Sequence, residues 1–307
     1  GNVFYLKHPS GNITLYGHLR NFVPKLHDWM VQKMYEAEQN ELEIYPAVGE
    51  LPVKKGELIA YGGNTGSSGG PHLHFEIRDS LDRAMDPLKA GFTEILDNIP
   101  PTPQKIAIVP LELDSRVNGK FQRIELTPVL NGSSYRIPET IRVTGKVGLE
   151  IQSYDKLDGA ENQNGFPFFE VSDETGLLFK LDIDLVDFNF TRQFLLHTYR
   201  NRFTRLYHQP DLKFDFFRPN TPGTGAFVVE AGEKKNLQIR LSDAYSNSRL
   251  VNLTLTGADL DSTIADGAGP VSPQVSFFKS IMKIKVKQSD KGGLAKYFIG
   301  NQAYEIL

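Results

Sequence analysis

The sequence has no cysteine among its 307 residues, which excludes a disulfide scaffold and a thiolate metal site. It also has no apolar run near the roughly 20 residues that a helix needs to cross a bilayer, and no signal peptide. Its formal net charge is only −3, which argues against a nucleic-acid-binding surface. What remains is an ordinary globular composition, with 40% hydrophobic residues available for buried cores.

The first 97 residues predict a mostly β domain of antiparallel strands with one inserted helix. Val3–Lys7 and Ile13–Tyr16 flank a Pro-Ser-Gly-Asn turn, which indicates a hairpin. Residues 24–40 carry apolar side chains at helical spacing. A loop with five glycines over 62–70 leads into residues 71–78, whose strict alternation predicts a strand. Because Gly1 opens directly in a strand-like run, we expect the natural protein to begin upstream.

The remainder of the chain also predicts β structure. Prolines at 100, 101 and 103 mark a linker over 98–104. Short β-like runs separated by turn residues over 105–262 predict a β-sandwich of immunoglobulin-like type. Within it, residues 191–205 fit either a short helix or an irregular crossing. A second linker over 263–274 precedes the first strands of a partial third β domain at 275–307.

Three histidines occupy informative positions. His72 and His74 stand two apart on the predicted strand, so their side chains point to one face. Imidazole is the commonest zinc ligand, and two on one face can serve one metal site. A bare His-x-His is weak evidence, but this pair follows Gly69 and Gly70, which allow close backbone approach. His18, at the end of the second strand, taken alone would be a surface or turn histidine.

Taken together, these histidines lie in motifs that resemble those of the LytM/lysostaphin family of zinc metallopeptidases in their order, spacing and residue identities. The matching segments are Tyr16-Gly17-His18-Leu19, the run from Val53 to Ile59, and the string from Gly63 to Glu76 that reads Gly-Asn-Thr-Gly followed by Gly-Pro-His-Leu-His-Phe-Glu. The last string is highly specific. The resemblance covers about residues 1 to 90 and implies the duplicated hybrid motif fold.

The resemblance also implies roles for single residues. His74 takes the position of a zinc ligand, His72 that of the general base, and His18 that of the group that polarises the attacking water or stabilises the oxyanion. The implied cofactor is Zn²⁺, with an open coordination position for water. Further positions in the matching motifs are expected to contact substrate: Tyr16, Asn64, Thr65 and Gly66.

One departure from the family pattern concerns the other two zinc ligands. The family supplies them from an upstream His-x-x-x-Asp motif, and His8 is followed by Pro-Ser-Gly-Asn instead. We expect that motif to precede Gly1. The expected activity is hydrolysis of peptide cross-links in peptidoglycan, with stem peptides as partners, in the periplasm or cell envelope. The alternative is an inactive family member that binds the cell wall or activates an amidase.

Other polar segments favour structural explanations. Residues 154–165 are rich in oxygen ligands and could hold calcium, but they lack the spacing and closing glutamate of an EF-hand, so a polar turn is favoured. Residues 242–247 predict a hairpin turn. His197 and His208 lie in an aromatic-rich stretch and are expected to be structural.

Overall fold

A computed structural model describes residues 1–112, 114–200, 202–209 and 223–259, together with four strands between 274 and 305. The chain divides into two compact units, Gly1–Pro87 and Leu88–Leu307. The mostly β fold is confirmed in both. No helix in the described part of the chain is long and apolar enough to span a membrane.

The first unit contains five strands and one helix. In chain order they are β1 (Asn2–Lys7), β2 (Ile13–Phe22), α1 (Pro24–Ala37), β3 (Ala60–Gly62), β4 (His74–Arg78) and β5 (Ala84–Met85). The strands pair antiparallel in the order β1-β2-β4-β5, and β3 pairs with β2. The predicted hairpin is therefore confirmed as β1 and β2.

The helix α1 packs on one face of this sheet. Leu26 on α1 is buried together with Leu19 and Phe22 of β2. Pro24 begins the helix, where its missing N–H costs nothing. The helix ends earlier than the predicted residue 40, because Glu38 adopts a left-handed conformation with φ of 53°.

The second unit is a sandwich of two sheets. Its elements before residue 260 are β6 (Thr102–Pro110), β7 (Arg116–Val117), β8 (Ile124–Leu126), β9 (Val129–Asn131), β10 (Ser134–Thr144), β11 (Lys146–Tyr154), β12 (Phe168–Asp173), β13 (Gly176–Asp182), β14 (Leu185–Val186), α2 (Thr191–His197), β15 (Thr198–Tyr199), β16 (Phe203–Arg205), β17 (Phe227–Val228), β18 (Lys234–Ser242) and β19 (Ser248–Gly257). Short 3-10 turns cover Pro87–Ala90 and Phe188–Phe190. The segment 191–205 is thus a short helix followed by two short strands.

One sheet follows the order β13-β12-β18-β19-β10-β7, with β9 beside β10, and the other follows β15-β16-β11-β6-β8, with β17 beside β11. All pairs are antiparallel except β10 with β19, which are parallel. The two sheets share one apolar core, since Ile106 and Leu149 of the second sheet cluster with Leu181, Ile239 and Leu241 of the first. The sandwich predicted from turn spacing is present.

Strand β6 begins at Thr102, inside the segment predicted as a linker, and Pro103 opposes Ser153 at a register shift. Beyond residue 273 the described strands are β20 (Gln274–Phe278), β21 (Ile281–Lys285), β22 (Lys296–Ile299) and β23 (Gln302–Glu305), which form two antiparallel pairs. Residues 263–273 of the predicted second linker lie outside the described residues. The predicted domain boundaries and the partial third domain stay predictions.

Two buried carboxylates in the sandwich are matched by cations. Glu150, with 1% of its side chain exposed, accepts from Arg123 Nε at 2.7 Å and from Arg205 Nε at 3.3 Å. Asp173, equally buried, pairs with Lys235. Burial would raise the pKa of Asp173, but the bonds from Lys235 and Thr175 outweigh it and lower the pKa to about 2. The sandwich therefore buries these charges in paired form.

We expect Leu241→Ala to lower the free energy of unfolding by about 2–5 kcal/mol, because Leu241 is fully buried between the sheets and its loss leaves a cavity. Urea unfolding followed by circular dichroism measures this change. Leu130→Ala is the control, since Leu130 is 59% exposed and its truncation should cost no more than about 0.5 kcal/mol. Equal losses in the two variants would contradict the described core.

Candidate functional site

The pairing of β2 with β4 places His74 directly opposite Gly17. A Cβ on Gly17 would lie 3.2 Å from the Cβ of His74, so the absence of a side chain there leaves room for the imidazole. His74 and Glu76 point to the same face of β4 because they are two residues apart. The His74 side chain is 45% exposed, so it faces an open surface.

His72 lies just outside β4. The strand was predicted to begin at Pro71, but it begins at His74, and His72 forms only an isolated bridge with Gly63. Pro71 has no N–H to donate to a ladder, so the pairing before His74 reduces to the bond from His72 N to Gly63 O, at 3.1 Å. Strand alternation therefore does not explain how His72 is oriented, and the loop contacts must do so.

His18 is turned toward the other two imidazoles by a distortion of β2. Its φ is 57°, in the left-handed region, and the pairing register of β2 with β1 shifts here, between Tyr16 and Leu19. Such a bulge re-aims a side chain that regular alternation would place on the other face. The His18 ring centroid lies 4.7 Å from that of His72 and 5.7 Å from that of His74. The structure thus brings all three predicted histidines together.

The loop 62–70 is bonded to β2. The hydroxyl of Thr65 donates to Leu19 O at 2.8 Å and accepts from Asn2 N at 2.9 Å. Gly63 lies so close to β2 that a Cβ would come within 2.6 Å of Arg20 N. Because the loop cannot move away from β2 without breaking these contacts, the groups that hold His18 and His72 stay near each other.

Backbone carbonyls determine which ring nitrogen of two histidines carries hydrogen. His18 Nδ1 lies 2.8 Å from Thr65 O, and His72 Nδ1 lies 2.8 Å from Gly70 O. A carbonyl oxygen can only accept, so each Nδ1 carries the hydrogen, and in the neutral ring the lone pair is on Nε2. Ser68 Oγ, at 3.2 Å from His72 Nδ1, supports the same orientation. Both rings therefore present a basic Nε2.

His74 has the opposite arrangement. Its Nε2 lies 2.5 Å from Glu76 Oε1, so Nε2–H donates to the carboxylate and Nδ1 keeps the lone pair. Burial would raise the pKa of Glu76, but hydrogen bonds from Arg78 and His74 outweigh it and lower the pKa. Glu76 is therefore ionised at neutral pH. A carboxylate behind one imidazole nitrogen is the usual support of a metal-binding histidine.

These residues fit zinc in kind but not in number. His74 offers Nδ1 with a carboxylate behind it, an arrangement common among zinc-binding histidines. Zinc sites in enzymes use three protein ligands. In the part of the chain that the structure describes, the one group of three or more ligand-type side chains with ligand atoms within 4.8 Å lies in the second unit and includes none of these histidines. The remaining zinc ligands are thus not among the described residues near His74.

The predicted substrate-binding residues lie in different places. Thr65 adjoins His18 through its carbonyl, and Asn64 and Gly66 flank it in the same loop. Tyr16 lies on the face of β2 opposite to Gly17, where its ring packs on Phe75 at 5.4 Å. This placement does not support a substrate contact for Tyr16, because regular alternation turns its side chain away from His74. The roles of Asn64, Thr65 and Gly66 stay predictions.

Sequence reasoning missed two members of the site. The motif resemblance assigns no role to Glu76, although its spacing of two residues from His74 on a strand places both side chains on one face. Gly17 belongs to the Tyr-Gly-His-Leu motif, which does not indicate what the glycine does. Its role follows from the pairing register, which the sequence does not state.

Comparison with known proteins supports a peptidase. Residues 43–87 match the model of peptidase family M23, a segment that contains β4, His72 and His74 but is well under half of the chain. No curated protein and no solved structure gives a match. Over this segment the first unit is therefore similar to M23 peptidases. The match is partial, and it agrees with the LytM-type resemblance of the motifs.

We expect Gly63→Ala to destabilise the first unit by about 1–3 kcal/mol, because the added Cβ would collide with the backbone of Arg20. The single tryptophan, Trp29, lies in this unit, so its fluorescence reports the unfolding midpoint. Gly62→Ala is the matched control, since a Cβ there meets nothing within 4 Å. If both variants unfold alike, the close approach of loop and strand is not as described.

Proposed function

We propose that the first unit contributes His18, His72 and His74 to a zinc-dependent endopeptidase that hydrolyses peptide cross-links of bacterial peptidoglycan. The observation that carries this proposal is the convergence of three imidazoles whose hydrogen-bonded nitrogens are each held by a carbonyl or carboxylate. A match to peptidase family M23 over residues 43–87 supports the same class of reaction. The substrate class comes from the LytM-type resemblance.

His74 would hold the metal through Nδ1, with Glu76 keeping Nε2–H in place. Arg78 lies 2.7 Å from the other Glu76 oxygen and is itself bonded to Asp82, so the carboxylate cannot easily turn away. The two further ligands would come from groups other than His18 and His72. When bound, zinc supplies a Lewis acid that polarises the scissile carbonyl and lowers the pKa of water.

His72 would act as general base. Its Nε2 carries the lone pair because Nδ1–H is held by Gly70 O, so it can take a proton from the attacking water and become cationic. His18 presents Nε2 in the same way. In its neutral form it accepts a hydrogen bond that orients the water, and once protonated it donates to the oxyanion of the substrate. Both positions require the rings to stay where the loop 62–70 holds them.

The open surface around these residues suits a polymeric substrate. His72 and His74 are exposed, and Leu73 between them is 51% exposed. An extended peptide can therefore reach the imidazoles without entering an enclosed cavity. Action on cross-links of the wall also places the protein, in this proposal, in the periplasm or cell envelope.

We expect His72→Ala in the natural full-length protein to lower kcat/KM for muropeptide release by about 10²–10⁴-fold, because the general base is lost. Release is measured by chromatography of digested peptidoglycan, and circular dichroism checks that the fold is kept. His27→Ala is the control, because His27 is an exposed histidine on α1. Unchanged turnover in His72→Ala would remove His72 from the mechanism.

Zinc content separates the enzyme from an inactive wall-binding relative. We expect one zinc ion per full-length chain, and loss of that ion in His74→Ala but not in His27→Ala, by elemental analysis after dialysis. If full-length protein binds peptidoglycan yet holds no zinc and releases no muropeptide, the proposal fails. The function of the protein would then be binding to the cell wall or activation of an amidase.

A further inference from the structure

Three aspartates meet inside the second unit, far along the chain from the histidine cluster. Asp97 precedes β6, Asp155 follows β11, and Asp243 begins the turn between β18 and β19. One carboxylate oxygen of each lies within 4.8 Å of those of the other two. All three residues are more than nine-tenths buried, with 7%, 6% and 3% of their surface exposed. Three segments distant in sequence therefore place acidic groups in one small space.

Each of the three has a buried oxygen without a hydrogen-bond partner: Asp97 Oδ2, Asp155 Oδ1 and Asp243 Oδ2. The backbone holds the companion oxygens. Asp97 Oδ1 accepts from Ile99 N at 3.0 Å, and Asp243 Oδ1 accepts from Tyr245 N and Asn247 N, both at 2.9 Å. In both Asp97 and Asp243, backbone N–H groups therefore hold one carboxylate oxygen in place, while the second oxygen has no donor among the described residues. Buried acceptors in this condition are rare and need an explanation.

The loops that bear the aspartates are bonded to one another. Asn247 Nδ2 donates to Asp97 O at 3.0 Å, and Asn98 Nδ2 donates to Asp158 Oδ2 at 2.6 Å. Asp158 N donates to Leu96 O at 3.2 Å. The cluster is thus a product of three segments held in register and not of mobile surface side chains.

No cationic side chain in the described part of the chain compensates this charge. Among the described residues, no lysine, arginine or histidine forms an ion pair with any of the three aspartates, and Lys156, next to Asp155, pairs with Glu161 at 3.2 Å. Glu150 and Asp173 show that the same unit otherwise buries carboxylates against arginine or lysine. Burial and the nearby carboxylates of Asp97 and Asp243 raise the pKa of Asp155 to about 7. The cluster therefore lacks a positive charge that the rest of the sandwich would supply.

We propose that Asp97, Asp155 and Asp243 form a Ca²⁺-binding site in the second unit. Calcium takes six to eight oxygen ligands at about 2.3–2.6 Å, so two oxygens on one ion lie at most about 5 Å apart. The 4.8 Å limit on the three carboxylate oxygens satisfies this condition. Buried carboxylates without nitrogen or sulfur ligands suit a hard cation, and water completes the shell. The segment 154–165, favoured from sequence as a plain turn, contributes Asp155.

Calorimetric titration of the 307-residue chain with CaCl₂, after treatment with chelator, tests the site. We expect one Ca²⁺ per chain and a rise of the unfolding temperature by about 5–10 °C at a hundredfold excess over Kd. Asp155→Asn and Asp243→Asn should each weaken binding at least about tenfold. Glu161→Gln, which removes an acid that is 98% exposed in the same loop, should bind as the wild type does.

Added Ca²⁺ should also reverse the order of stability of Asp155→Asn and the wild type. In chelator at pH 8, above the pKa of Asp155 of about 7, Asp155→Asn should unfold at a higher temperature than the wild type, because one of three repelling charges is gone. In excess Ca²⁺ it should unfold at a lower temperature. A wild type that shows no response to about 10 mM Ca²⁺ overturns the proposal even if a variant does not fold. A larger shift with Mg²⁺ than with Ca²⁺ overturns the choice of ion, and unaltered binding by both variants overturns the site.

Discussion

The left-handed backbone at His18 is the constraint on which the histidine cluster depends. Gly17 and His74 share one face of the sheet, so a regular β2 would place His18 on the other face, beside Tyr16. A non-glycine residue in this conformation costs about 1–2 kcal/mol. The hydrogen bond from His18 Nδ1 to Thr65 O returns about 1 kcal/mol and also sets the tautomer. The strained backbone at His18 thus brings the three imidazoles together. A hydrogen bond to Thr65, 47 residues further along the chain, offsets part of its cost.

How much of this could be predicted from sequence differs between fold and site. Alternation and turn residues suffice for the β1–β2 hairpin and the sandwich, because local patterns determine local elements. The motif strings identify His18, His72 and His74. The strand at His72 was predicted wrongly, because alternation continues through Pro71 although pairing does not. The bulge at His18, and the space that Gly17 leaves for the His74 ring, depend on the pairing register between strands. Composition and residue spacing do not encode that register.

The second unit contains two kinds of buried carboxylate, those paired with a cation and those without one. The sequence did not predict the second kind, the aspartate cluster. Glu150 and Asp173 each face a cation brought from another strand, which gives ordinary buried ion pairs. Asp97, Asp155 and Asp243 lie against one another, and no described lysine, arginine or histidine pairs with them. A pattern search tests ligands at fixed short spacings, and these three stand more than fifty residues apart from each other. Their proximity arises from the sandwich topology, so no single segment contains the signal.

The parallel pairing of β10 with β19 joins residues separated by more than a hundred positions, such as Tyr135 and Val251. During synthesis, β10 emerges long before its partner, and the larger sheet cannot close until residues 248–257 have left the ribosome. Until then the edge of β10 that β19 will cover is open to other chains. Closing so long a loop is slow, and it makes this sheet the late step of folding. A nascent chain that stalls before β19 would therefore be prone to aggregate rather than merely incomplete.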